Sequence, residues 1–269
     1  MRLVLGAGGL GLFVAIAVTA LFWTPFAVDT ITITDRFAAL SWTHPLGTDQ
    51  YGRDIVSMLM AGAVTSLSVA AAAVVIGVGV GAPLGLLAAA SGGVFEAVLM
   101  RLSDVVFAFP ALITAVILTA LWGPGAINAT VAIGVFNIPV FARLTAAGAR
   151  KVLALDFVDA ARLSGKSSAR IAVEHVAPNV APIVITQAAT QFAIAILAEA
   201  GLSYVGLGAQ PPVVSWGRML AESQTFMAIA PQLAVWPGIA IALAVMAVTS
   251  LGEGLRAGID PRLQRMGEG

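Results

Sequence analysis

The 269-residue sequence contains no cysteine, which excludes a disulfide framework, a thiolate metal site and a cysteine nucleophile. Histidine is nearly absent too: His44 and His175 lie far apart in the chain and leave little material for a metal centre. Charge is scarce, at 10% of residues, where a soluble domain carries about 25%. An ordinary soluble enzyme is therefore excluded. The 14 cations balance the 14 anions, so no excess positive charge draws the chain to nucleic acid. What takes the place of charge is long apolar runs. With 59% hydrophobic residues and 28 glycines, the chain reads as several membrane spans joined by short loops.

Leu3 to about Trp23 is uniformly apolar, matching the roughly 20 helical residues that cross a ~30 Å hydrocarbon core. A cleaved secretory signal is the rival, because Met1-Arg2 is a short basic start and Val18-Thr19-Ala20 resembles a cleavage site. The run is longer than the about 7–15 residues of a signal core, which favours a retained anchor. A second charge-free run, Ile55 to Phe95, is too long for one span and too short for two; a helix is expected over about 64–89, ending near Ser91-Gly92-Gly93. A third run, Val105 to Ala142, is cut by the turn Trp122-Gly123-Pro124-Gly125, giving spans at about 104–121 and 127–147. The last two fall at about 180–205 and 233–252. The expected fold is all-α and polytopic with six transmembrane helices, since helices satisfy their own backbone bonds in lipid. The alternation of a membrane barrel is absent.

With the amino terminus in the cytoplasm, eleven of the 14 cations fall inside and only Arg36, Arg53 and Arg218 outside, as the positive-inside rule requires. Five or seven spans would spoil that asymmetry, so both termini are expected in the cytoplasm. The chain then divides into an N-terminal span (1–28), an extracytoplasmic segment (29–62), a five-helix domain (63–253) and a cytoplasmic tail (254–269). In the outer segment, Thr30-Ile31-Thr32-Ile33-Thr34 alternates as an extended stretch does, and the polar run His44 to Asp54 follows. The largest inner piece, about 148–179, is rich in cations.

Within that inner loop, Ser164-Gly165-Lys166-Ser167 imitates the end of a phosphate-binding loop. The full pattern needs glycine where the chain has Ala160, and it needs a preceding strand. Nucleotide binding is rejected there. Asp156 to Ser164 has instead the composition of a short helix, with Gly165 suited to a turn at its end.

A different pattern covers the same residues. Asp159-Ala160-Ala161, then Gly165, then Pro178-Asn179 resembles the E-A-A-x-x-x-G signature of the membrane subunits of ATP-binding-cassette importers. His44 to Asp54, Gly206-Leu207-Gly208, Pro211 with Ser215-Trp216-Gly217, and the tail Asp260-Pro261-Arg262-Leu263 resemble the C-type permease of the dipeptide/oligopeptide/nickel branch. Asp159 where that family has Glu, and Ala177 where it has Leu, are departures. The resemblance implies a type I importer permease fold in the bacterial inner membrane. It also implies that Asp159, Ala160, Ala161, Gly165 and Pro178 form a coupling helix and loop that dock on a separate ATPase. The implied partners are a homologous second permease, two ATPase subunits that use ATP and Mg, and an extracytoplasmic binding protein. This chain itself would bind no cofactor and catalyse nothing, and its cargo would be short peptides or, as the alternative, nickel or a nickel chelate.

Two acids lie at membrane depth, where a carboxylate needs a reason to be. An i,i+3 pair with Arg101 accounts for Asp104 structurally; the other reading sets it on the translocation path. Glu199, near the outer end of the fifth span, either faces that path or pairs with a polar neighbour. Arg143 and Arg150 are read as solvent-facing members of the inside set. Pro110 and Pro139 should kink their helices. Phe107, Phe109, Phe136 and Phe141 are read as packing residues, and the five tryptophans as residues of the outer interface and loops. An ion-gradient transporter would need ionisable groups near the midplane and, often, inverted repeats, and the sequence displays neither. A non-transporting scaffold would use His44 to Asp54 as its binding segment.

Overall fold

The computed structural model describes residues 2–109 and 111–259. Five helical stretches are long and apolar enough to cross a bilayer on their own. They contain α1 (Arg2–Ala20), α2 (Ile55–Ser91), α5 (Ala126–Leu153), α8 (Ala177–Tyr204) and α10 (Gln232–Ile259). Between α2 and α5, where the third span is expected, two shorter helices stand instead, α3 (Gly93–Ala108) and α4 (Ala111–Trp122). Two helices lie in the inner loop, α6 (Asp156–Leu163) and α7 (Ser168–Ile171), and α9 (Trp216–Ser223) lies between α8 and α10. No strand forms among the described residues. The expected extended stretch at Thr30 to Thr34 is corrected: it runs into a 3₁₀ turn, Ile33–Asp35, and the only pairing found is an isolated bridge from Thr48 to Asp54.

The expected third span is not one helix. α3 stops at Ala108, and Phe109 is extended at φ −97°, ψ 132°. A residue before proline is pushed out of the helical region by the proline ring, which explains the break; the kink expected at Pro110 itself lies outside the described residues. Pro139 differs, because α5 runs through it without interruption. α2 exceeds the expected 64–89 at its start and is 37 residues long, roughly 55 Å at 1.5 Å per residue. Its extra turns start directly after the polar run His44 to Asp54.

The α2/α5 contact is the most extensive pair in the fold, and glycine spacing causes it. Gly77, Gly81 and Gly85 stand four residues apart on α2, along one helix face. A Cβ on Gly81 would sit 2.3 Å from the Ile138 carbonyl oxygen, and one on Gly85 2.3 Å from that of Ala142. The backbones touch because nothing projects between them. α1 and α10 pack the same way in antiparallel order: Gly6 meets Leu251, Gly9 meets Ala247, and Leu3 meets Gly254. The Arg2 guanidinium reaches Glu253 at 2.5 Å. The start of α1 and the end of α10, residues 2 and 259, therefore lie on one face of the molecule. α1 leaves Val4, Leu5 and Leu12 exposed, a surface suited to lipid rather than water.

At the opposite face the segment before α2 turns inward. Asp54 caps α2, accepting from the Ser57 amide and hydroxyl at 2.8 Å each, while His44 Nδ1 meets its other oxygen at 2.9 Å. Asp49 accepts from the amides of Tyr51 and Arg53 and from Arg53 Nε. Arg53 continues to Glu222 on α9 at 3.0 Å, which also accepts from Arg218 at 2.9 Å. Trp216 is fully buried, its indole N–H donating to the Leu59 carbonyl at 3.0 Å and its ring lying on Gly62. That corrects the interfacial reading for this tryptophan. Trp23, Trp42 and Trp122 are exposed as expected.

Candidate functional site

The inner loop builds its own small core. Val158 and Ala161 of α6 pack with Ala149, Ile171, Val176 and Val180, and the end of α2 closes the cluster through Leu86 and Ala89. α6 ends in a left-handed glycine: Gly165 has φ +79°, its amide donates to Arg162 and that of Lys166 to Ala161. These are the two bonds of the Schellman motif. The apparent phosphate loop is thus a helix terminus preceded by a helix, not a strand.

α6 is sorted by face. Asp159 and Ala160 point outward, Asp159 paired with Arg162 at 2.8 Å. Ala161 points inward to the small core, so its small size serves packing within this chain. Leu163 is 90% exposed, and Leu155, Phe157 and Val173 of the same loop are exposed too. Leu163 shares its side of α6 with Ala160, Asp159 and Asp156, at helical spacings of three, four and seven residues. Pro178 is exposed in the first turn of α8, where no intrahelical N–H is required.

Glu174 fastens the loop to α8. It sits in a π turn, Ala172–Val176, and its carboxylate accepts from Lys166 Nζ at 2.7 Å and Arg170 Nε at 2.5 Å. Those two hydrogen bonds, Lys166 first, hold its carboxyl well below the usual range, at about 2, and Glu174 in turn raises the Arg170 guanidinium. Lys166 Nζ also meets His175 Nε2 at 3.0 Å, and His175 stands edge-on to Phe157 of α6.

The two acids at membrane depth have different surroundings. Glu199 is 1% exposed; its carboxylate accepts from Ser203 at 2.6 Å and from Ser66 of α2 at 2.8 Å. Ser66 accepts the Trp216 amide and Ser203 that of Ala209. The group ties α2, α8 and the approach to α9 together. Asp104 pairs with Arg143 of α5 at 3.0 Å, not with Arg101, and the two side chains are 56% and 42% exposed. Arg150 meets Glu96 of α3 at 2.8 Å. Both arginines are exposed, as expected, and each also carries an ion pair that the sequence did not announce. Both line an open cleft of about 530 Å³ between α3, α5 and α8, with Met100, Phe107 and Gln187 among its walls. Gln187 and Glu199 share α8 but stand about 18 Å apart along it, at 1.5 Å per residue. The structure therefore does not bring Glu199 and Asp104 together.

A family model described as "Binding-protein-dependent transport system inner membrane component" matches residues 81–265, more than half of the chain and all of the inner loop. The chain belongs to this family. Among curated relatives, the glutathione transport system permease protein GsiD of Pectobacterium atrosepticum is 37% identical over 94% of this chain and 86% of its own length. The dipeptide transport system permease protein DppC of Alkalihalophilus pseudofirmus is 35% identical over 94% and 83%. The di/tripeptide permease protein DppC of Pseudomonas aeruginosa is 41% identical over 81% and 72%. A solved structure described as inward facing conformations of the MetNI methionine ABC transporter aligns with TM-score 0.57 over 74% of this chain and 96% of that one, at 18% identity. It shares the fold. The inner-membrane components of this family are permeases, and the all-helical, multi-span architecture agrees with that membership.

Sequence reasoning missed Arg143 as the partner of Asp104, and it missed Glu174 altogether. Half of the signal for Glu174 was present: Arg170 and Glu174 stand four residues apart, the spacing at which helical side chains meet, whereas Lys166 precedes the helix.

Proposed function

We propose that this chain is the membrane-spanning permease subunit of an ATP-driven, binding-protein-dependent importer of short peptides, supplying half of the translocation path. The observation that supports the reading is the exposed side of α6, where Leu163 is 90% exposed beside Asp159 and Ala160, on the same face of the molecule as residues 2 and 259. In this reading that face is cytoplasmic, and it seats α6 in a groove of an ATPase subunit. Asp159, Ala160 and Gly165 form the contact and its terminus, and Pro178 starts the helix that receives the motion. ATP and Mg act in two ATPase subunits; a homologous second permease completes the path; a binding protein delivers cargo at the outer face. Short peptides are preferred to nickel because the relatives are named for glutathione, dipeptides and di/tripeptides.

The mechanics follow from the bonding. Nucleotide-driven closure of the ATPases displaces α6. The Glu174 clamp and the small core pass that displacement to α8, and the glycine seam binds α5 to α2, so the helices turn as rigid bodies. Asp104 belongs to the path in this account. Glu199 serves as the brace that keeps α8 and α2 together while they move.

The test is Leu163→Asp. The side chain touches little in this chain, so insertion and thermal stability should be unchanged, while the ATPase subunits no longer co-purify and ATP-dependent uptake into vesicles is lost. Full uptake by that variant would refute the docking surface.

A further inference from the structure

The cleft between α3, α5 and α8 has a composition that the permease role does not by itself require. Arg143 lies ten residues from the inner end of α5, about 15 Å along its axis, at a depth where an ionised side chain is expensive unless it faces a partner or a water-filled space. Arg150 lies two turns further inward on the same face of α5. Among the described residues, the polar side chains on the cleft wall are these two guanidiniums and the Gln187 amide, and Asp104 and Glu96 are not in that lining. They hold the arginines from the α3 side. Phe107 places its ring 5.4 Å from the Arg143 guanidinium and, with Met100, supplies an apolar wall. A volume of about 530 Å³ is in the range of small-molecule sites.

Guanidinium groups recognise carboxylates through charge-assisted hydrogen bonds. We propose that this cleft is a cargo station on the translocation path, in which Arg143 and Arg150 receive the C-terminal carboxylate of a short peptide while Gln187 bonds its backbone amides. The inference rests on the permease reading and adds the recognised group. Both arginines are already paired, so an arriving carboxylate competes with Asp104 and Glu96 instead of meeting bare charge. The station therefore holds cargo weakly and lets it leave, as a conduit requires.

The experiment is equilibrium retention of radiolabelled trialanine by the complete complex in nanodiscs, without the binding protein, against trialanine amide. The wild type should retain the free acid saturably and the amide at least tenfold more weakly. Arg143→Gln should lose about tenfold for the acid and erase the difference, Arg143→Lys should restore part of it, and Asp104→Asn, which removes the competitor, should tighten retention. Equal retention of acid and amide by the wild type, no saturable retention, or an unchanged Arg143→Gln complex would each overturn the proposal. So would loss of the second permease from Arg143→Gln complexes, which would make these charges a subunit contact. ATP-driven uptake by the wild type is measured in parallel; its failure would strike the permease reading, whereas its success with indiscriminate retention would strike only this one.

Discussion

The two ends of the molecule treat polar and apolar groups in opposite ways. At the outer end, Asp49, Asp54 and Arg53 are buried or nearly so and bonded within the chain, and Arg53 and Arg218 meet on Glu222. At the inner end, α6 keeps only Val158 and Ala161 for the small core and leaves Phe157 and Leu163 exposed. The outer end is finished by internal bonds; the inner end is left apolar where a partner is expected. Substitutions at the outer end should therefore cost stability, and substitutions on the inner face should cost assembly and coupling.

The largest expected loss of stability is Asp54→Ala. It removes the α2 cap and strands the Ser57 hydroxyl and His44, at about 2–3 kcal/mol, read as a lower thermal unfolding midpoint in detergent. An unchanged midpoint would show that the outer end is not self-supporting. Glu199→Gln comes next. A buried amide cannot accept from both serines, so about 1–3 kcal/mol should be lost, while the folded fraction still transports. If uptake fell with the midpoint unmoved, Glu199 would belong to the path and not to the brace.

At the inner end, Gly165→Val forces a β-branched residue into the left-handed region at about 1–2 kcal/mol. Space around Gly165 is open, so the spans should still insert, with ATP hydrolysis separated from uptake. Normal coupling in this variant would remove the α6 terminus from the mechanism. The smallest effect concerns pH. The Glu174 carboxyl is lowered from an ordinary 4.5 to about 2, so its clamp contributes fully above the ordinary value and fades as pH falls from there through about 2. Amide protection over residues 166–175 should be flat between pH 8 and 5 and decline only in stronger acid. Loss of protection between pH 6 and 5 would mean that the clamp is not what orders the loop.

Much of this was legible because membrane spans are local signals. Charge-free runs placed α1 and α8 within about three residues and found where α5 and α10 start but not how far they run on, and Gly165 marked the end of α6 because a glycine after a short helical run is itself the stop. The break at Phe109 was half legible: Pro110 announced a disturbance, but whether a helix bends or ends depends on its neighbours, as the uninterrupted helix at Pro139 demonstrates. Long-range partnerships were not legible. Glu199 finds Ser66 at a separation of 133 residues, and Arg53 finds Glu222 at 169. Asp104 passed over Arg101, three residues away, for Arg143 on a neighbouring helix. Hydropathy says how deep a charge lies and nothing about which helix will face it. Trp216 misled for the same reason, since an indole next to a span suits an interface, yet Gly62 opened a place for it inside.

The absence of cysteine makes the decisive measurement direct, because Ala160→Cys would carry the only thiol in the chain. In vesicles holding the assembled complex, a short thiol-to-amine cross-linker at that position should link this chain to an ATPase subunit, and an impermeant thiol label should reach it only from the cytoplasmic side. A residue 160 labelled from the exterior, or free of any ATPase cross-link in vesicles that import peptide at the expense of ATP, would contradict the account.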